Sequence, residues 1–487
     1  MELTFAQKEN IGFQYVLEAM EPSSPNGRQM LRELRPLGPG CRGELQRQLG
    51  NVHRILQMQA CRRELQQLLR IFMGLKMVRP TAQKCLETEL NAIELFEMKR
   101  FLLQSLEMLP LFAAIGQALG LEGITMADTR AALDILDPDN SRTASFFIPD
   151  TVSQTLASLR REKRMLEAQI REAPSQELVA RRREVCGMEE TEEQRIHGVM
   201  SRQLRPYIPS VLSNMDAIAD LDLTAEKARI AALYGGCFPE LTESRLELTD
   251  MCNPRIVDLL AAQKKTFTPI SITLEQGTTV ITGANMGGKS VALKTIALNI
   301  LLVHCGFFPF AGSARIPLFD GMHIISEDLE SVNVGLSSFG GEIVRFNRMA
   351  GQLETGFHFV LLDEFARGTN PQEGAAIVRA VTQYLNGRPA ISVLATHYDH
   401  VSDVARAHYQ VAGLRDLDWD ALRREIRGLS QDESAGYISR FMNYGLYAVE
   451  KALDCPRDAL HICRLLGMER EIVEEAEETV SARVKIC

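Results

Sequence analysis

The chain has 487 residues, 45% hydrophobic and 24% charged, with a formal net charge of −9. That is the composition of an ordinary globular protein of roughly two to four domains. The acidic balance argues against a dedicated nucleic-acid binder with an overall basic footprint, although a local basic face fits inside an acidic total. Ten cysteines stand singly, with no C-x-x-C pair, which speaks against a zinc site or redox motif and suggests a reducing, cytoplasmic setting. The N-terminus has neither a basic nor an apolar leader segment, so no signal peptide is expected. The longest apolar run, Ile296 to Phe310, is interrupted by Asn299, His304 and Pro309. It is too short and too polar to span a bilayer, and no membrane partner is expected.

Residues 1–150 read as a helical core domain. Leu, Met, Glu, Gln and Arg dominate, and loops are marked by Glu21 to Gly27, Arg35 to Gly40 and Asp137 to Asn140. Phe146-Phe147-Ile148 has the composition of a short strand. Residues 151–205 read as a helical hairpin. Leu156, Leu159, Leu166 and Ile170 recur at three- and four-residue steps, with Lys163 at the missing step. Glu172-Ala173-Pro174-Ser175 supplies the turn, and Leu178, Val185, Ile196 and Val199 lie on the return arm. The hairpin is either a coiled arm packed on its own domain or a clamp that touches a partner. Its tip, Glu172 to Glu177, carries no Lys or Arg, although Arg181-Arg182-Arg183 follows. Gripping DNA takes cations against phosphate, so the tip is a poor DNA clamp.

Residues 206–245 read as a connecting lever helix. Residues 246–430 alternate apolar strand-like and helical runs, which predicts an α/β domain with a mostly parallel sheet. Strands are expected at Thr278–Ile281, His323–Ile325, Phe359–Leu362 and Ile391–Leu394. Residues 431–487 read as C-terminal helices. The fold class is therefore α + α/β.

The α/β segment carries the chemistry. Gly283-Ala284-Asn285-Met286-Gly287-Gly288-Lys289-Ser290 fits G-x-x-x-x-G-K-[ST] between a strand and a helix. In that context the loop's N–H groups and the helix N-terminus face phosphate oxygens. Gly283, Asn285, Gly287 and Gly288 shape the loop, Lys289 reaches the β- and γ-phosphates, and Ser290 holds Mg²⁺. Phe359 to Leu362 leads into Asp363-Glu364 about 75 residues later. Asp363 is a second Mg²⁺ ligand, through water, and Glu364 the residue that polarises the attacking water. No N-K-x-D follows to read guanine, so ATP is favoured over GTP. Phe365 to Asn370 forms a glycine-bearing loop suited to report nucleotide state across an interface. His397, after the Ile391–Leu394 strand, is placed to sense the γ-phosphate.

Together, Thr282 to Ser290, Asp363 to Thr369 and Ala395-Thr396-His397-Tyr398 resemble the ATPase signatures of the MutS family, in order and spacing. Glu327-Asp328-Leu329 and Gly335-Leu336-Ser337-Ser338-Phe339 resemble its signature loop. The resemblance implies an ABC-like P-loop ATPase domain, a helical core and lever, and C-terminal dimerisation helices around Ala459 to Gly467. It further implies that Ser337 or Ser338 acts on the nucleotide of a second subunit, in a homo- or heterodimer. Phe267 falls near the family's adenine-stacking aromatic. About 50 residues precede the stretch that resembles the family, roughly 50–475, too few for the family's mismatch-reading domain, and the lone Phe-x-Glu, Phe238-Pro239-Glu240, is misplaced for that role.

Two targets are compatible with such an engine. Phe441 to Leu446 and Pro456 to Leu460 are similar to MutS-like ATPase subunits of reactivases for adenosylcobalamin (B12)-dependent aminomutases, such as lysine 5,6-aminomutase, which work with a smaller subunit. The acidic chain and acid-tipped hairpin favour that reading. The alternative is a DNA-binding homologue acting on mismatched or branched DNA, in repair or recombination. Its support is the basic runs Arg160-Arg161, Lys163-Arg164 and Arg181-Arg182-Arg183.

Overall fold

The computed structural model describes residues 3–283, 288–326, 338–413, 443–449 and 468–484, with residues 422, 460, 463 and 464 isolated between them. The chain forms two compact units. One contains Glu21–Leu34 and Asn51–Glu226, the other Met1–Met20, Arg35–Gly50 and Lys227–Cys487. This grouping cuts across the 1–150 block that composition alone outlines.

Among the described residues the first unit is helical. Its longest single-unit helices are Ala92–Leu119, Gln154–Glu172 and Gln176–Leu204. Asn91 and Glu94 cap the first reciprocally, and Gly120 ends it in the left-handed region at φ 64°. Its length and apolar composition suffice to cross a membrane. Its packing is that of a core helix: Leu95, Met98, Phe101, Leu102, Met108, Phe112 and Ile115 are buried. Lys99 is buried on the same helix and donates to Asp137 at 2.9 Å and to the Ser145 carbonyl at 2.9 Å.

Gln154–Glu172 and Gln176–Leu204 pack as a hairpin around Leu159, Leu166 and Val185, with Leu178 partly buried against them. At the step where the apolar pattern skips, Lys163 pairs with Glu189 at 2.6 Å. Phe146-Phe147-Ile148 forms no strand. All strands among the described residues lie in the other unit, so these residues have no ladder to join. Phe147 instead lies beneath the Arg160 guanidinium, 4.3 Å from ring centroid to Cζ.

Among the described residues the second unit contains two sheets. The smaller has the order β1-β5-β2-β3, made by Glu240–Thr242 (β1), Leu246–Met251 (β2), Ile270–Leu274 (β3) and Ser313–Pro317 (β5). The larger, mostly parallel sheet has the order β10-β9-β4-β8-β7-β6. Its members are Gly277–Thr282 (β4), Gly321–Ile325 (β6), His358–Asp363 (β7), Ala390–Ala395 (β8), Ala407–Gly413 (β9) and Asn443–Ala448 (β10). Only β10 runs antiparallel to its neighbour. The four strands expected from sequence are β4, β6, β7 and β8.

Strands β4 and β8 are buried along their whole length, as strands of a parallel sheet covered on both faces must be. The helix Lys289–His304 that follows β4 is buried nearly all round, which accounts for the apolar run from Ile296. Its polar interruptions are satisfied: Asn299 accepts from the Phe310 N–H at 2.7 Å, and His304 Nδ1 meets the Leu37 carbonyl at 2.7 Å. Burial pushes His304 down to about 4, so it is neutral at pH 7.

Candidate nucleotide site

Strand β8 pairs with β4 on one side and β7 on the other. The carboxyl ends of these three adjacent strands carry Gly283, Glu364 and His397. Ligands of open α/β sheets bind beyond such strand ends.

Two glycines frame the loop after β4. Gly283 has φ +147°, and a Cβ there would come within 3.1 Å of the Val411 Cβ. Gly288 has φ +94° and caps the helix that opens with Lys289. Both positions suit glycine for its lack of a side chain. Asn285 and Gly287 lie outside the described residues. Lys289 is buried, donates to the Gly283 carbonyl at 2.8 Å and lies 3.8 Å from Glu364 Oε1.

Ser290 donates its hydroxyl to the Asp363 carboxylate at the end of β7. Burial raises the Asp363 pKa. The Ser290 hydrogen bond works against that rise, the charge of Glu364 adds to it, and Lys294 and Lys289 oppose it. Asp363 Oδ1 is buried and accepts no hydrogen bond. A hydroxyl and a carboxylate oxygen with unused acceptor capacity suit a hard divalent cation, whose charge favours the ionised carboxylate. The residues present therefore fit Mg²⁺, with Ser290 and Asp363 as holders.

Glu364 lies next along the chain. Its backbone is left-handed at φ +50°, and Ala366 is left-handed at φ +62°. Each such residue costs about 1–2 kcal/mol, so surrounding contacts must impose the shape. The Glu364 N–H donates to the Ala395 carbonyl at 3.0 Å, and Arg367 pairs with its carboxylate at 2.8 Å. The Ala366 N–H donates to Glu342 Oε2 at 2.8 Å, and Tyr398 Oη donates to the Ala366 carbonyl at 2.9 Å. Glu342, on the helix Ser338–Ala350, was not singled out by sequence reasoning, and neither was a positioning role for Tyr398.

His397 packs against Tyr398, with ring centroids 4.4 Å apart and planes tilted by 39°, and its Nδ1 is buried without a hydrogen-bond partner. Burial lowers its pKa, with Glu364 pulling the other way, so the ring is neutral at pH 7. Phe267 is 8% exposed and packed just ahead of β3. Ser337 lies outside the described residues. Ser338 begins the helix Ser338–Ala350, with its side chain outside the description. A cavity of about 490 Å³ opens beside Ser290 and Lys294, lined also by Glu9, Asn10, Asn253 and Arg255.

Comparison with known proteins gives a family match over this part of the chain. Residues 279–482 match the family model for MutS domain V. The chain is homologous to MutS2 and MutS proteins. It is 35% identical over 315 residues to the endonuclease MutS2 of Thermomicrobium roseum, covering 63% of this chain and 37% of that protein. The endonuclease MutS2 of Symbiobacterium thermophilum is 30% identical over 308 residues, 62% of this chain and 37% of that protein. The DNA mismatch repair protein MutS of Fusobacterium nucleatum is 28% identical over 209 residues, 42% of this chain and 23% of that protein. The matched stretches thus span well under half the length of these relatives.

Proposed function

We propose that the chain is a MutS-type ATPase that couples ATP hydrolysis to conformational change and works as a dimer. The observation that carries this is the convergence of Lys289, Ser290, Asp363 and Glu364 at the ends of β4 and β7, with Asp363 Oδ1 left unsatisfied. In this reading the phosphates replace the Gly283 carbonyl as the partner of Lys289. Ser290 and Asp363 would hold Mg²⁺, which when bound neutralises charge on the phosphates. Glu364 accepts a hydrogen bond from the attacking water and polarises it toward the γ-phosphorus. Neutral His397, beside Glu364, donates a ring N–H to a γ-phosphate oxygen. Ser337 or Ser338 of a second subunit donates hydrogen bonds to the same phosphate and closes the site. Adenine stacking by Phe267 requires its ring to leave the packing it now has.

For the target, we propose distorted or branched DNA. The names of the relatives, an endonuclease and a mismatch repair protein, support that class. A second reading is remodelling of a partner protein, such as a B12-dependent aminomutase assisted by a smaller subunit. The names of the relatives above do not support the aminomutase. What favours protein over DNA is the hairpin: Arg160, Lys163, Arg181 and Arg182 are each paired with a hairpin glutamate.

Glu364→Ala should bind ATP and stay closed as a dimer. Recovering its partners from native lysate, with and without nuclease, separates the targets. DNA that is lost on nuclease treatment supports the first. A protein that survives it supports the second. A mutant that stays monomeric with ATP and Mg²⁺ contradicts the clamp.

A further inference from the structure

We infer that Glu342 and Tyr398 are positioning residues that hold the catalytic glutamate in place and couple it to the helix after the signature loop. The inference rests on the ATPase reading above and names residues that neither the motifs nor that reading assigns.

The argument starts from the backbone between Asp363 and Arg367. Two of its residues, Glu364 and Ala366, are non-glycine and left-handed. Side chains with a Cβ rarely adopt that conformation without restraint. Here the restraint is a clamp on the peptide groups of one residue. The Glu342 carboxylate takes the Ala366 N–H, and the Tyr398 hydroxyl gives to the Ala366 carbonyl. Both contacts are buried. A buried N–H or carbonyl that loses its partner is destabilised, so the clamp defines one backbone path. That path turns Glu364 toward Lys289.

The two jaws come from different places. Tyr398 follows His397 at the end of β8. Glu342 sits on the helix Ser338–Ala350, one turn after Ser338. One further turn along, Phe346 packs on Phe365, with ring centroids 5.5 Å apart. The same helix thus grips the catalytic loop twice, once by hydrogen bond and once by ring contact. Gly374 completes the seat: a Cβ there would overlap the Tyr398 hydroxyl and come within 3.0 Å of the Ala366 carbonyl. A helix whose start must reach another subunit's nucleotide is therefore tied directly to this subunit's Glu364. Movement of that helix on dimer closure changes the aim of Glu364.

The test separates aiming from binding and from folding. Purified Glu342→Ala, Glu342→Gln and Tyr398→Phe are compared with wild type for MgATP affinity, kcat, KM and melting temperature. Glu342→Ala and Tyr398→Phe should bind ATP within about threefold of wild type yet lose roughly ten- to a hundredfold in kcat, the scale of a small misplacement of a catalytic group. Glu342→Gln keeps an acceptor for the Ala366 N–H and should recover most of the rate. Wild-type kcat in both Glu342→Ala and Tyr398→Phe overturns the proposal. So does a rate loss that merely follows lost affinity or lost folding, and so does a Glu342→Gln as slow as Glu342→Ala. Absence of hydrolysis in wild type itself removes the ATPase reading first, and this proposal with it.

Discussion

Lys289 Nζ and Glu364 Oε1 face each other across the ends of β4 and β7, 3.8 Å apart, while Lys289 also donates to the Gly283 carbonyl at 2.8 Å. In the proposed reading, the cation for the phosphates is thus kept beside the acid for the water. A triphosphate would then compete with both contacts, and its binding would free Glu364 from the Lys289 charge, linking nucleotide binding to the acid through one side chain.

Lys289→Ala should lower ATP affinity by about 1.5–3 kcal/mol or more, the worth of hydrogen bonds to a charged group. Calorimetric titration with ATP and Mg²⁺ checks this. Unchanged affinity removes the phosphate-loop assignment.

His397→Ala should keep ATP binding and lose about 10²–10³-fold in turnover, the usual effect of removing one donor to developing charge. Burial lowers the pKa of His397 from its ordinary 6.5. Its proton is therefore taken up below pH 6.5, and titration of His397 should leave the rate unchanged from pH 7 to 8. A rate in His397→Ala equal to wild type sinks the role.

The buried Lys99–Asp137 pair makes acid sensitivity testable in the helical unit. Burial alone would raise the Asp137 pKa. The Ser141 hydroxyl, the Arg142 N–H and Lys99 outweigh that and bring it from 3.8 to about 2. A carboxylate with a depressed folded pKa stabilises the fold above its unfolded pKa and loses that contribution as pH falls. Wild type should therefore lose roughly 2 kcal/mol between pH 4 and pH 2 that Asp137→Asn does not lose. Lys99→Ala, which leaves the buried acid without its charge partner, should cost about 3–5 kcal/mol at pH 7. Denaturant melts of the three proteins decide both points.

Arg181 and Arg182 pair across the hairpin with Glu162 and Glu167 at 2.8 and 2.7 Å. Exposed pairs of this kind are worth about 0.2–1 kcal/mol. Replacing both arginines with Ala should leave DNA affinity at physiological salt within about threefold, because their charge is already matched. A much larger loss, with a shallower salt slope, would place phosphates on the hairpin after all.

The central strands could be read from sequence because each is a local pattern, and the glycine loop and the acid pair are local motifs too. Phe359 to Leu362 is buried on both faces and ends in two acids, and the glycine loop needs its neighbours only. Strand β2, Leu246–Met251, mixes Glu, Thr and Asp into its pattern and escaped notice, as did β5, which is held by partners far along the chain. The clamp on Ala366 was invisible for the same reason. Glu342 is 24 residues away and Tyr398 is 32, and no spacing rule connects them. Phe146 to Ile148 failed as a strand because propensity without a neighbouring edge makes none. The division of residues 1–50 between two units likewise depends on contacts that composition does not encode.

The most direct test of the account is magnesium-stimulated phosphate release from ATP by the purified chain, measured beside Glu364→Ala. The expected result is turnover by wild type and a loss of roughly 10²–10⁴-fold in the mutant, with ATP binding retained. Equal rates in the two proteins, or no magnesium-stimulated release by wild type, contradict it.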